Sequence, residues 1–106
     1  LQNVGGELPL LERVLRRFAQ TYRIGLPDLL AVPDASQIPV WKARLHSLLG
    51  ACTAVGAVDL TQHIRDLDRR LDSEADSEEL ARRGEMLDAG LRDLVGRLEE
   101  RLGRSR

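Results

Sequence analysis

The sequence predicts an all-α fold, an antiparallel up-down four-helix bundle with room for a short extra N-terminal turn or helix. Three observations predict it. Apolar residues recur at the 3.6-residue helical period in four segments. Proline, glycine and polar residues separate those segments into short connections, the arrangement that favours antiparallel neighbours. Alternating β-branched runs are missing, so no strand pattern competes. Each apolar stripe is too narrow to be buried by a single partner helix. An extended coiled coil needs sustained heptads, and the interruptions at Gly25-Leu26-Pro27 and at Gly56 argue against one. At 106 residues the chain has material for one domain, 1–106, with a modest core.

The first helix is expected over 7–31, after Gly5-Gly6. It carries Leu8, Leu11, Val14, Leu15, Phe18 and Tyr22 on one face, with Pro9 tolerable in the first turn. Gly25 and Pro27 predict a kink or break near 24–27, before Leu29-Leu30. Pro33-Asp34-Ala35-Ser36 reads as a loop, and Pro39 suits the first turn of a second helix over 38–54, which Gly56 ends. A third helix over 58–72 repeats the period through Leu60, Ile64, Leu67 and Leu71. The polar connection Ser73 to Ser77 then offers side chains able to cap the fourth helix. That helix, over 77–102, has a stripe of Leu80, Gly84, Leu87, Leu91, Leu94, Leu98 and Leu102, where Gly84 and Gly90 permit close helix contact.

Composition excludes several functions. A formal net charge of -1 provides no basic field, so nucleic acid is not an expected partner. One cysteine cannot form an internal disulfide, which suits a reducing cytoplasm, and no Cys-x-x-Cys or His/Cys spacing suggests a metal site. The longest uncharged run, Leu45 to Val58, falls short of the roughly 20 apolar residues that span a bilayer, so no membrane insertion is expected. Because the chain starts at Leu1, it is expected to be a piece of a longer protein. Its single lysine among 16 basic residues points to a GC-rich bacterial source.

The chemistry concentrates at His46-Ser47-Leu48-Leu49-Gly50, followed by Gly56-Ala57. Counting about 100° per residue from Trp41, Leu45, Leu48, Cys52 and Val55 stay within roughly 40° of it, whereas His46 lies about 140° away with Gly50 and Thr53 beside it. The histidine is therefore expected to face solvent, with an open approach over Gly50. A lone exposed histidine is ordinary; this one is set apart by its glycine spacing and uncharged surround. Ser47, Leu49, Gly50, Thr53 and Ala54 would form a small, weakly polar patch suited to burial against a partner.

The segment Leu45 to Ala57 resembles the phosphoacceptor helix of histidine phosphotransfer (HPt) domains. That pattern runs His-x-Leu-Lys-Gly, with a Gly-Ala pair ten and eleven residues after the histidine. His46, Leu48, Gly50, Gly56 and Ala57 match in register, while Leu49 stands where the family has lysine. The resemblance implies a four-helix bundle in which His46 is the phosphoacceptor in a phosphorelay and Ser47, Leu49, Gly50 and Thr53 dock the receiver domain of a response regulator. It implies that the receiver supplies Mg²⁺ and an acidic pocket, with no cofactor held by this chain. It also implies a cytoplasmic location, either as a module of a hybrid sensor histidine kinase tethered to the inner membrane through its parent or as a free-standing protein. The scattered glycines lack nucleotide-loop spacing, so no ATP-dependent kinase activity is expected of this domain itself. The alternative is a helical adaptor that docks a receiver or another partner without accepting phosphate; a plain dimerisation bundle is a third reading.

Lys42, four residues before His46, is the candidate to neutralise the phosphoryl group in place of the missing lysine. His63 reads as a solvated surface residue, and Cys52, on the buried stripe, as a small hydrophobe rather than a nucleophile. Trp41 and Phe18 read as core. The charges of the last helix, among them Glu78 with Arg82 and Glu79 with Arg83, read as a solvated face with i,i+4 pairs.

Overall fold

A computed structural model of the chain describes residues 2–73 and 76–104. Four helices form the bundle: α1 (Gln2–Thr21), α2 (Ile38–Val55), α3 (Val58–Asp72) and α4 (Ser77–Arg104), with a single 3-10 turn (Pro27–Leu29) between α1 and α2. Among the described residues there is no strand. Each helix packs against its neighbours in chain order, and α4 closes the ring on α1.

Cross-helix pairs fix the directions. Arg16 reaches Leu102 O at 3.4 Å while Leu26 N–H reaches Asp88 at 2.7 Å, so α1 runs antiparallel to α4. Arg83 meets Asp66 and Arg70 meets Glu79, each at 2.8 Å, so α3 and α4 are antiparallel as well. The α2–α3 hairpin turns at Gly56, whose φ of 74° lies in the left-handed region. There Gly56 N–H donates to Thr53 O and Ala57 N–H to Cys52 O, the paired bonds of a Schellman cap.

The core follows the helical period closely in α2 and less closely in α1 and α4. Trp41, Leu45, Leu48 and Cys52 of α2, Ile64, Leu67 and Leu71 of α3, and Leu80, Leu87, Leu91 and Val95 of α4 are buried around Phe18, Ala19 and Leu29. In α4 the buried line passes through Val95; Leu94 and Leu98, expected in that line, are half-buried.

The first helix differs from the expected 7–31. It begins at Gln2, which puts Pro9 in the helix interior, and it ends at Thr21. The break is a consequence of Gly25, whose φ of 75° no continuing helix accommodates. Past it, Pro27 starts the short 3-10 turn that buries Leu29 completely and leaves Leu30 exposed. The break is held from the far end of the sequence: the buried Asp88 accepts the Leu26 N–H and pairs with Arg92 at 3.2 Å.

Leu11 and Val14, expected in the α1 stripe, are 49% and 37% exposed. Arg16 lies level with Leu102, two residues before α4 ends at Arg104, and the two helices are antiparallel, so α1 runs past the end of α4 from about Val14 toward its N-terminus and leaves Leu11 and Val14 at the edge of the bundle. Leu8 of that stripe has a side chain outside the described set, and Glu74 and Ala75 of the expected polar connection also lie outside the described residues.

Candidate functional site

The second helix is built to present its outer face. Its entry is fixed by Asp34, whose carboxylate accepts the Ser36 N–H at 2.9 Å, the Ser36 hydroxyl at 2.6 Å and the Gln37 N–H at 3.2 Å. Gln37 returns the bond, its amide oxygen accepting the Asp34 N–H at 3.1 Å. These bonds, that from the Ser36 hydroxyl foremost, hold the Asp34 carboxyl below its ordinary value. Pro39 then occupies the first helical turn, where a missing N–H costs nothing.

With Trp41, Leu45, Leu48 and Cys52 buried, the opposite side of α2 consists of Ala43, His46, Ser47, Gly50, Thr53 and Ala54, all exposed. A Cβ added at Gly50 would meet nothing within 4 Å. The imidazole of His46 thus stands mid-helix among side chains too small to cover it. Leu49 is the exception to the expected docking patch, being half-buried and packed against the core.

On the α3 side, His46 opens onto a groove of about 290 Å³ lined by Leu45, Leu49, Ile64, Arg65, Asp68 and Arg69. Three charged residues of α3 therefore share a groove with the histidine, a juxtaposition that the sequence alone did not reveal. The signal was present as Arg65 and Arg69 spaced i,i+4, but using it requires the register between α2 and α3, which side-chain periodicity alone does not supply.

Lys42 is paired. Its ammonium lies 2.5 Å from Asp72 Oδ1 and 3.6 Å from Asp68 Oδ1, both on α3. The hydrogen bond to Asp72 leads the causes that raise its pKa above the ordinary lysine value. Arg44, also near His46 in sequence, donates to Asp28 at 2.7 Å. His63 is exposed but lies in a different groove, of about 310 Å³ between α3 and α4, with Met86, Asp93 and Arg97. Cys52 is fully buried, and burial pushes its thiol up to about 11, which leaves no thiolate for nucleophilic chemistry near neutral pH.

Among the described residues, no group of three or more His, Cys, Asp or Glu side chains could hold a metal ion. Among the described residues, no helix is long and apolar enough to cross a membrane either. The arrangement puts an exposed imidazole at the mouth of a groove that Arg65 and Arg69 also line, next to a face of small exposed residues. Comparisons with protein-family models, curated proteins and solved structures give no match.

Proposed function

We propose that this chain is a histidine phosphotransfer domain that relays a phosphoryl group between receiver-domain aspartates and His46. The observation that carries the reading is the exposed His46 in the middle of α2, flanked by small exposed residues and opening onto a groove with Arg65 and Arg69. The match of His46, Leu48, Gly50, Gly56 and Ala57 to the phosphoacceptor pattern supports it.

In the proposed reaction an unprotonated ring nitrogen of His46 attacks the phosphorus of an aspartyl phosphate. The N–P bond forms as the P–O bond breaks, and the aspartate carboxylate leaves with the electron pair. The return step reverses this onto another receiver. Such transfer depends on in-line positioning and on neutralising the equatorial oxygens. This chain contributes the nucleophile, the docking face of Ser47, Gly50 and Thr53, and cationic side chains; Mg²⁺ and its acidic ligands belong to the receiver. The domain fits a cytoplasmic module of a hybrid sensor kinase in a bacterial two-component system.

The test is phosphotransfer from a radiolabelled phospho-receiver. Acid-labile label on the wild-type chain, absent from His46→Gln, supports the relay; label retained by His46→Gln overturns it. The adaptor reading draws on the apolar Leu49 and on the pairing of Lys42 with Asp72 and Asp68, and receiver binding without label would establish it.

A further inference from the structure

We infer that Arg65 of α3 is the cation that neutralises the phosphoryl group on His46, an inference that rests on the phosphotransfer reading above. A phosphoryl group attached at His46 brings negative charge to a helix face whose own side chains, Ala43, Ser47, Gly50, Thr53 and Ala54, carry none. The charge has to be met from the neighbouring helix. Leu49, which lines the groove on the histidine's own helix, is apolar, and the Lys42 ammonium is held by Asp72 and Asp68.

Three charged side chains of α3 share the groove with His46: Arg65, Asp68 and Arg69. Arg69 pairs with Asp66 at 3.4 Å. Arg65 has no ion pair or side-chain hydrogen bond among the described residues. Asp68, the one carboxylate lining the groove, already lies 3.6 Å from Lys42. Arg65 and Arg69 stand i,i+4 on one helix face, a like-charge spacing that disfavours a bare helix and is relieved when an anion sits between the groups. A guanidinium also presents donors in a planar fork that matches two phosphoryl oxygens at once. The groove, at about 290 Å³, has room for the group.

The test uses phosphoramidate, a small phosphoryl donor, so that no receiver is required. A ring nitrogen of His46 attacks phosphorus, the new N–P bond forms, the P–N bond of the donor breaks, and ammonia leaves. The product is followed by 31P NMR, taking as the His46 signal the one missing in His46→Gln. Arg65→Gln should shorten the phosphohistidine lifetime or slow its formation by about tenfold, the loss expected for one charge-assisted hydrogen bond at an open site. It should also shift the 31P resonance while the thermal unfolding midpoint stays at the wild-type value. Arg65→Lys should fall between the two.

The outcomes separate the two readings. Equal rate, lifetime and 31P shift in Arg65→Gln and wild type overturn this inference and leave the phosphotransfer reading standing. A larger loss in Lys42→Ala than in Arg65→Gln overturns it too, assigning the charge to Lys42. Wild-type protein that takes no phosphoryl group at His46 overturns the phosphotransfer reading, and this inference with it.

Discussion

Two glycines of the same helix should respond in opposite directions to the same substitution. Gly84 sits where α4 meets the 3-10 turn and the buried Trp41: a Cβ there would lie 2.6 Å from Leu29 O, 2.8 Å from Trp41 Cη2 and 3.3 Å from Leu29 Cβ. An ordinary carbon–oxygen contact is ~3.3 Å or longer, so the Leu29 backbone would have to retreat by ~0.7 Å. Leu29 is 0% exposed and Trp41 1%, so neither can move outward without disturbing the core. Overpacking of this kind costs about 2–3 kcal/mol, and alanine's helix propensity returns about 1, leaving Gly84→Ala destabilised by roughly 1–2 kcal/mol. At about 4–8 °C per kcal/mol for a domain of this size, the midpoint should fall by roughly 5–15 °C. Gly96, three turns further along α4, has nothing within 4 Å of its added Cβ. There only propensity acts, and Gly96→Ala should gain about 1 kcal/mol and rise by about 4–8 °C. Thermal and urea unfolding by circular dichroism and Trp41 fluorescence measure both. A Gly84→Ala variant as stable as Gly96→Ala would refute the packing of Leu29 and Trp41 against α4.

Other perturbations test the supports of the fold and the site. Removing the Asp88 carboxylate in Asp88→Ala leaves the Leu26 N–H without its acceptor, at a cost of about 1–3 kcal/mol in urea titrations; Asp88→Asn, which keeps an acceptor oxygen, should lose less. Asp66 is held below its ordinary value of 3.8, first by its hydrogen bond from Arg70. Its contribution to stability is therefore present above that value and lost as pH falls through the lower folded-state value. Asp66→Asn should be less stable than wild type at pH 7, with the gap closing below 3.8; a constant gap would contradict the assignment. Gly50→Arg places a long cation on open solvent one turn past His46, and should block transfer from a phospho-receiver while leaving the unfolding midpoint at or above wild type.

How much of this was legible depended on whether the decisive contacts were local. The second helix could be read almost to the residue, because Trp41, Leu45, Leu48 and Cys52 fall on one period and Gly56 supplies the left-handed residue that ends it. The break after α1 was legible as a position, at Gly25 and Pro27. What secures it was not: Asp88 lies 62 residues from Leu26, and one acid among the several of the fourth helix gives no sign of its partner. The apolar face of α1 misled through Leu11 and Val14, whose burial is decided by how far α2 and α4 extend and not by their own spacing.

The same distinction applies at the candidate site. Exposure of His46 followed from the stripe opposite it. The groove beside it did not, since Arg65 and Arg69 come to share it with the histidine only through the pairing of α3 with α2. Lys42 was placed on the correct turn, but the carboxylates that engage it, Asp68 and Asp72, also come from α3. Side chains on one helix were readable together; side chains meeting across two helices were not.

The most direct test of the phosphorelay reading is reversible transfer at a located site. The chain is labelled by a radiolabelled phospho-receiver, the labelled residue is identified by mass spectrometry under alkaline conditions, and excess unphosphorylated receiver is then added. The reading predicts that the label resides on His46 and returns to the receiver's aspartate on that addition. Label on any other residue, or receiver that binds the α2 face while His46 stays unmodified, would contradict it.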